Sequence, residues 1–296
     1  MKQVLQNLIR YEFTTLERIV NVLLLNASFI DNLGLMHGKM GICIFFFLLA
    51  RKTKNKIFED YAGELLDEIF IGINQKKQVS WDFENGIAGI GWGIEYLVQN
   101  NFAEADTDEV LKTIDEQVCW RHLYASPSSV GLQNGLMAIG AYYLMRMKNK
   151  KRPGNSILAL TIKYILVQFI DEIERRMVEK EFINNILKGE TGPLSIEWSF
   201  PLFLIVLTDL HNLKLFNHKT DKIIYILLER FKNQNNLPVF HSNRIILGEA
   251  FNKLEKSSGF DNTNIKKLAQ SLNEWIFITV DDSVIKNELT YVNLSL

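Results

Sequence analysis

The chain has 296 residues, 47% of them apolar, which is enough for a large buried core in one domain, with two as the alternative. Its 33 basic and 34 acidic residues leave a formal net charge of −1 and are spread along the chain, so no field gathers phosphates and nucleic acid is not an expected partner. The apolar run Ile42 to Ala50 falls far short of the roughly 20 residues a membrane-spanning helix needs, so no transmembrane segment is expected.

The N-terminus interrupts its apolar positions with Gln, Arg, Glu and Thr and offers no small-residue cleavage site. It does not read as a secretory signal, and a cytoplasmic location is the expectation. The first amphipathic helical pattern is "TTLERIVNVLLLNA". It leads into "GLMHGKMGICIFFFLLA", Gly34 to Ala50, where Gly38 and Gly41 stand directly before an apolar run.

That arrangement recurs. "HGKMGICIFFFLLA" from His37 is echoed by "NGIAGIGWGIEYLV" from Asn85, "NGLMAIGAYYLMRM" from Asn134 and, more weakly, "KGETGPLSIEWSFPLFLIVL" from Lys188. A period near fifty residues is the signature of a repeat architecture. Between the copies stand "IFEDYAGELLDEIFIGI", "TDEVLKTIDEQVCW" and "SILALTIKYILVQFIDEIERRM", each with one wet and one apolar face. The segments after the glycines are apolar nearly all round, so outer helices are expected to alternate with inner ones. "DKIIYILLERFKNQ" and "SNRIILGEAFNKL" read as a fifth pair without the glycines, and "TNIKKLAQSLNEWIFITV" as a sixth outer helix, with Thr107 and Thr263 as N-caps. The expected fold is all-α: an incomplete α/α toroid of five to six hairpins over residues 1–280, with 281–296 as a tail or cover. Glycine at an inner-helix entrance permits close packing, and it also permits positive φ in the preceding turn.

Several residues are candidates for a shared cavity. His37, Asn85, Asn134 and Lys188 each precede a leading glycine, where helix N-termini would converge; their ordinary alternative is capping. In "WDFENGIAGIGWGIEYL", the spacing of Trp92, Glu95 and Tyr96 suggests one helical face, entered by a loop carrying Trp81, Asp82 and Glu84. An aromatic wall with acids suits a peptide or a sugar, while a core aromatic stripe with solvated acids is the plain alternative. Glu197 and Trp198 sit in an apolar helix that Pro201 is expected to kink, and Glu95 with Glu197 would make an acid/base pair of the glycosidase kind.

Cys43 and Cys119 are the only cysteines, and neither belongs to a CxxC pair. Cys119 and His122 form a C-x-x-H pair, but zinc takes three or four protein ligands and no second set stands near it in sequence. The GxxG of "HGKMG" repeats inside a helical pattern, unlike a KH loop, and "GIAGIGWG" lacks the dinucleotide fingerprint.

With these motifs, the chain resembles lanthionine cyclase (LanC)-like proteins. The resemblance lies in "GLMHGKMGICIFFFLL", "FENGIAGIGWGIEYL" and "GLQNGLMAIGAYYLMR", which are similar to that family's repeated glycine-bearing inner-helix entrances. It implies an α/α toroid, and in active members a zinc enzyme that adds a cysteine thiol to a dehydrated serine or threonine of a precursor peptide. The zinc ligands it implies, a cysteine in one late repeat and Cys-His before the glycine of the next, are not matched. Met36-His37-Gly38 is the nearest local match, and no cysteine follows Cys119. The expectation is a LanC-like protein without a metal or other cofactor, acting as an accessory or peptide-binding member of a peptide-modification pathway. Its expected partner is a precursor peptide or a modification enzyme. The alternatives are an active enzyme, either a cyclase with other ligands or a glycan-active toroid, and a helical interaction scaffold.

Overall fold

The computed structural model describes residues 16–75, 79–124, 135–187, 199–214, 217–233, 241–257 and 263–278. Asn134, Lys188, Gly189, Glu197, Trp198 and the segment 281–296 lie outside the described residues, as does the side chain of His122. Every regular element among the described residues is helical. Helix α1 covers 16–26 and runs into a single 3-10 turn, Ala27–Phe29. There follow α2 (Lys39–Thr53), α3 (Lys56–Gln75), α4 (Ile87–Gln99), α5 (Thr107–Val110), α6 (Lys112–Tyr124) and α7 (Leu136–Met147). The second half holds α8 (Ile157–Arg176), α9 (Lys180–Leu187), α10 (Ser199–Asn212), α11 (Asn217–Lys232), α12 (His241–Lys256) and α13 (Thr263–Ile278).

The two kinds of apolar pattern become two layers. Helix α4 buries ten of its residues on every side, Ile87 through Ile90 among them, as an inner helix must. Helix α8 buries Ala159, Ile162, Ile165, Leu166, Phe169, Ile170 and Ile173, a single stripe at three- and four-residue spacing. The inner layer runs α2, α4, α7, α10, α12, each packed on the next, while α8, α11 and α13 pack in series outside. Helix α3 covers α2, and α6 lies behind α4. Among the described residues the inner helices of this α/α toroid form an arc that begins with α2 and ends with α12. Among the described residues no helix is long and apolar enough to cross a membrane.

Two local expectations are corrected. The pattern from Thr107 to Trp120 is split at Leu111 into α5 and α6. Thr107 is not the N-cap: Asp106 is, its carboxylate accepting from the Asp108 backbone N–H at 3.0 Å. Pro201, where a kink is expected, stands at the edge of the described part of α10, next to residues that are not described. The short helix α9 was not anticipated, although Phe182, Ile183, Ile186 and Leu187 carry a helical apolar spacing and are all buried.

Candidate functional site

The leading glycines Gly38, Gly86 and Gly135 are the N-caps of α2, α4 and α7, with ψ of −173°, −169° and −179°. Their backbone is extended, and no described glycine has positive φ, so conformational freedom is not what they supply. They supply room. In the first two repeats the loop before the helix folds back over its first turn and caps it with a backbone carbonyl. Lys39 N–H donates to Asn32 O at 2.9 Å, and Ile87 N–H donates to Ser80 O at 2.8 Å, the acceptor seven residues back in both. A Cβ on Gly38 would fall 2.5 Å from the Gly34 nitrogen, and one on Gly86 would fall 2.6 Å from the Asp82 nitrogen. A Cβ on Gly41 would strike the Leu35 carbonyl, and one on Gly89 the Phe83 carbonyl. The capping work is done by these loops, and none of the three glycine N-caps has a side-chain cap.

The first two loops also hold each other. Met36 N–H donates to Glu84 O at 2.8 Å, and Asn32 Nδ2 donates to Asn85 Oδ1 at 2.6 Å. The Asn32 side-chain oxygen accepts from Gly34 N–H at 2.8 Å, and Asp82 accepts from Asn85 N–H at 2.6 Å. Asp82 and Glu84 are buried, Asn85 is half-buried, and His37 is exposed at the rim. Asn85 is thus a clasp between neighbouring helix entrances. Asn32 is its partner, a residue sequence reasoning passed over because nothing in spacing pairs positions 53 apart.

Below the loops lies an aromatic run. Phe83 meets Trp92 edge-on at 6.0 Å, and Trp92 stacks on Tyr96 at 5.3 Å with 10° between the planes. Trp81, on the same loop, is half-buried against the core. Gly93 of α4 packs on Met40 and Ile44 of α2, and Gly91 packs on Tyr142 of α7 and Ile114 of α6. The face carrying Trp92 and Tyr96 lies between these contacts and is the side of α4 turned to the interior of the arc. The repeat carries this face to its neighbours. From 92 and 96, steps of 48 back and 49 forward (37 to 85 to 134) reach Ile44 and Leu48 on α2, and Ala141 and Met145 on α7. Leu48 is exposed and the other three are half-buried, whereas Phe46, Phe47 and Tyr142 to Leu144 beside them are buried. The interior is therefore lined by a half-exposed apolar band.

Glu95 is not part of that band. It is fully buried, paired with the fully buried Arg146 of α7, and accepts from Gln99 Nε2 at 2.9 Å. Arg146 also donates to Asp115 at 2.7 Å, to Asp108 at 3.2 Å and to Thr107 at 3.2 Å, and the Tyr142 hydroxyl donates to Asp115 at 2.7 Å. Burial alone would make this guanidinium easier to deprotonate; the hydrogen bonds and charge of Asp115 outweigh it and hold its pKa above the ordinary value. The hydrogen bond from Arg152 holds the Asp108 carboxyl below the usual range. This network is a structural lock among α4 to α7 and leaves Glu95 without access to a substrate.

The thiols do not fit a zinc site of the kind the resemblance implied. Cys43 faces the outer layer, donates to Ala62 O at 3.3 Å, and burial pushes its pKa up to about 12, far from thiolate. Cys119 sits on the outer helix α6, where burial and the Asp115 charge raise its pKa. Neither reaches the helix entrances. Among the described residues no group of three or more His, Cys, Asp and Glu side chains has a metal-binding arrangement.

A family profile described as lanthionine synthetase C-like protein matches residues 30–196, more than half of the chain. No curated protein sequence matches it.

Proposed function

The chain belongs to the lanthionine synthetase C-like family, and from that membership we propose that it is a zinc-free member that binds a peptide as an accessory to peptide modification. The observation that carries this reading is the half-exposed apolar band of the arc interior, Ile44, Leu48, Trp92, Tyr96, Ala141 and Met145, running down from the rim where His37 is exposed. An extended peptide presents apolar side chains beside polar backbone. A stacked Trp–Tyr pair supplies a broad rigid surface, and the Met145 thioether adapts to irregular shapes. The zinc-free part rests on the chain's own residues. A catalytic zinc needs three protein ligands and an open position; the helix entrances offer no thiol, His37 is exposed, and the carboxylates Asp82 and Glu84 are buried, Asp82 accepting from Asn85 N–H. A glycan-active reading with acids such as Glu84, Glu95 or Glu197 is weaker, because the Glu95 carboxylate is engaged by Arg146 and Glu84 is buried.

Peptides selected on the intact protein from a random displayed library test the proposal when titrated against His37→Ala, Asn85→Ala and Trp92→Ala. Trp92→Ala and His37→Ala are expected to weaken binding by about tenfold or more with the helical spectrum retained, since a buried contact of this kind contributes roughly 1–3 kcal/mol. Asn85→Ala is expected to lower stability as well, through the lost Asn32 clasp. Affinity unchanged in all three would reduce the glycine motif to a packing device.

A further inference from the structure

At the glycine end the first two entrance loops are tied by the Met36–Glu84 backbone hydrogen bond and the Asn32–Asn85 clasp, while at the opposite end each pair of neighbouring inner helices is joined by side chains. From α2 to α4, the Arg51 guanidinium donates to the Asn100 carbonyl and lies 3.4 Å over the Phe102 ring. From α4 to α7, Arg146 pairs with Glu95, and Gln99 donates to Met145 O at 2.9 Å. From α7 to α10, Lys148 Nζ meets Asp209 Oδ2 at 2.7 Å. From α10 to α12, Lys253 Nζ meets Asp209 Oδ1 at 2.7 Å, and the Ser257 hydroxyl donates to Asn212. All five inner helices therefore run in the same direction.

These junctions are unequal. The α4–α7 tie is fully buried, whereas Asp209 takes part in both later junctions, one carboxylate oxygen to each lysine, with the Ser257–Asn212 hydrogen bond beside it at the second. Its side chain is 12% exposed while Lys148 and Lys253 are 36% and 35% exposed, so water and salt reach the pairs. We propose that Asp209 is the pin of a hinge at the α12 end of the inner series. Through its two oxygens it holds α10 to α7 and α12 to α10, and α12 with α13 is the part of the described arc that loosens first. The inference rests on the arc alone and stands whether or not a peptide binds inside it.

Hydrogen exchange on the full chain, resolved by segment, tests it. Asp209→Asn leaves both lysines facing a neutral amide and is expected to raise exchange by about tenfold or more in α10, α12 and α13, with α2 and α4 unchanged. Lys253→Met removes one arm and is expected to raise exchange in α12 and α13 only, whereas added salt, which reaches both pairs, is expected to act on α10, α12 and α13 as Asp209→Asn does. Unaltered protection in Asp209→Asn overturns the hinge, as does a rise spread evenly over all helices. If Asp209→Asn does not fold, Lys253→Met carries the test: an increase reaching α7, or none at all, overturns the proposal.

Discussion

At the scale of single residues, the glycines and the buried arginine make the sharpest claims. Gly89→Ala drives a methyl into the Phe83 carbonyl, and backbone on both sides leaves no easy relief. Urea denaturation should register a loss of about 2–3 kcal/mol. Gly63→Ala on α3 meets nothing within 4 Å and is expected to stabilise by about 0.5–1 kcal/mol through helix propensity. Equal effects at both sites would refute the packing role of the motif. Arg146→Met leaves Glu95 and Asp115 buried without their cation and should cost about 3–5 kcal/mol in the same assay. Asp108, held below the usual carboxylate range by Arg152, contributes stability that is present above that range and lost as pH falls through its depressed folded value. Arg152→Met should therefore flatten the acid limb of a stability profile below about pH 4. The Arg146 lock was not legible in the sequence. Trp92, Glu95 and Tyr96 share a spacing, but at about 100° per residue Tyr96 turns about 40° from Trp92 to one side while Glu95 turns about 60° to the other, toward Gly91 and α7. That angle carries Glu95 to a partner 51 residues on, on the next inner helix, which spacing within one helix does not reveal.

At the scale of elements, helix ends decide what the apolar pattern alone leaves open. The Thr107 to Trp120 pattern is amphipathic throughout, yet the chain breaks at Leu111, and the break lets Thr107 and Asp108 of α5 and Asp115 of α6 all reach Arg146. A tertiary demand overrides the local period there. Helix α2 ends on Lys54 in the left-handed region, φ 57°, a conformation that a side chain resists. Lys54→Gly is expected to raise stability by about 0.5–1 kcal/mol. Ser156 caps α8 by accepting from Ala159 N–H at 3.2 Å, and Ser156→Ala is expected to cost about 1 kcal/mol. Thermal unfolding of the two variants checks both signs.

At the scale of the whole molecule, the repeat was the legible part. A recurring glycine before an apolar run specified which helices lie inside, because only a helix enclosed on all sides is apolar all round. Less legible was what the interior face carries, since it appears only when Trp92 and Tyr96 are referred to their equivalents one step along, Ile44, Leu48, Ala141 and Met145. The proposed function requires that face to bind a peptide without a metal. Its most direct test is the affinity of a selected peptide for the intact protein, measured calorimetrically in a chelating buffer and again with zinc added, beside the Trp92→Ala variant. The same affinity in both buffers and a loss of about tenfold or more in the variant are expected. Binding that requires zinc, or that survives Trp92→Ala undiminished, would contradict the proposed function.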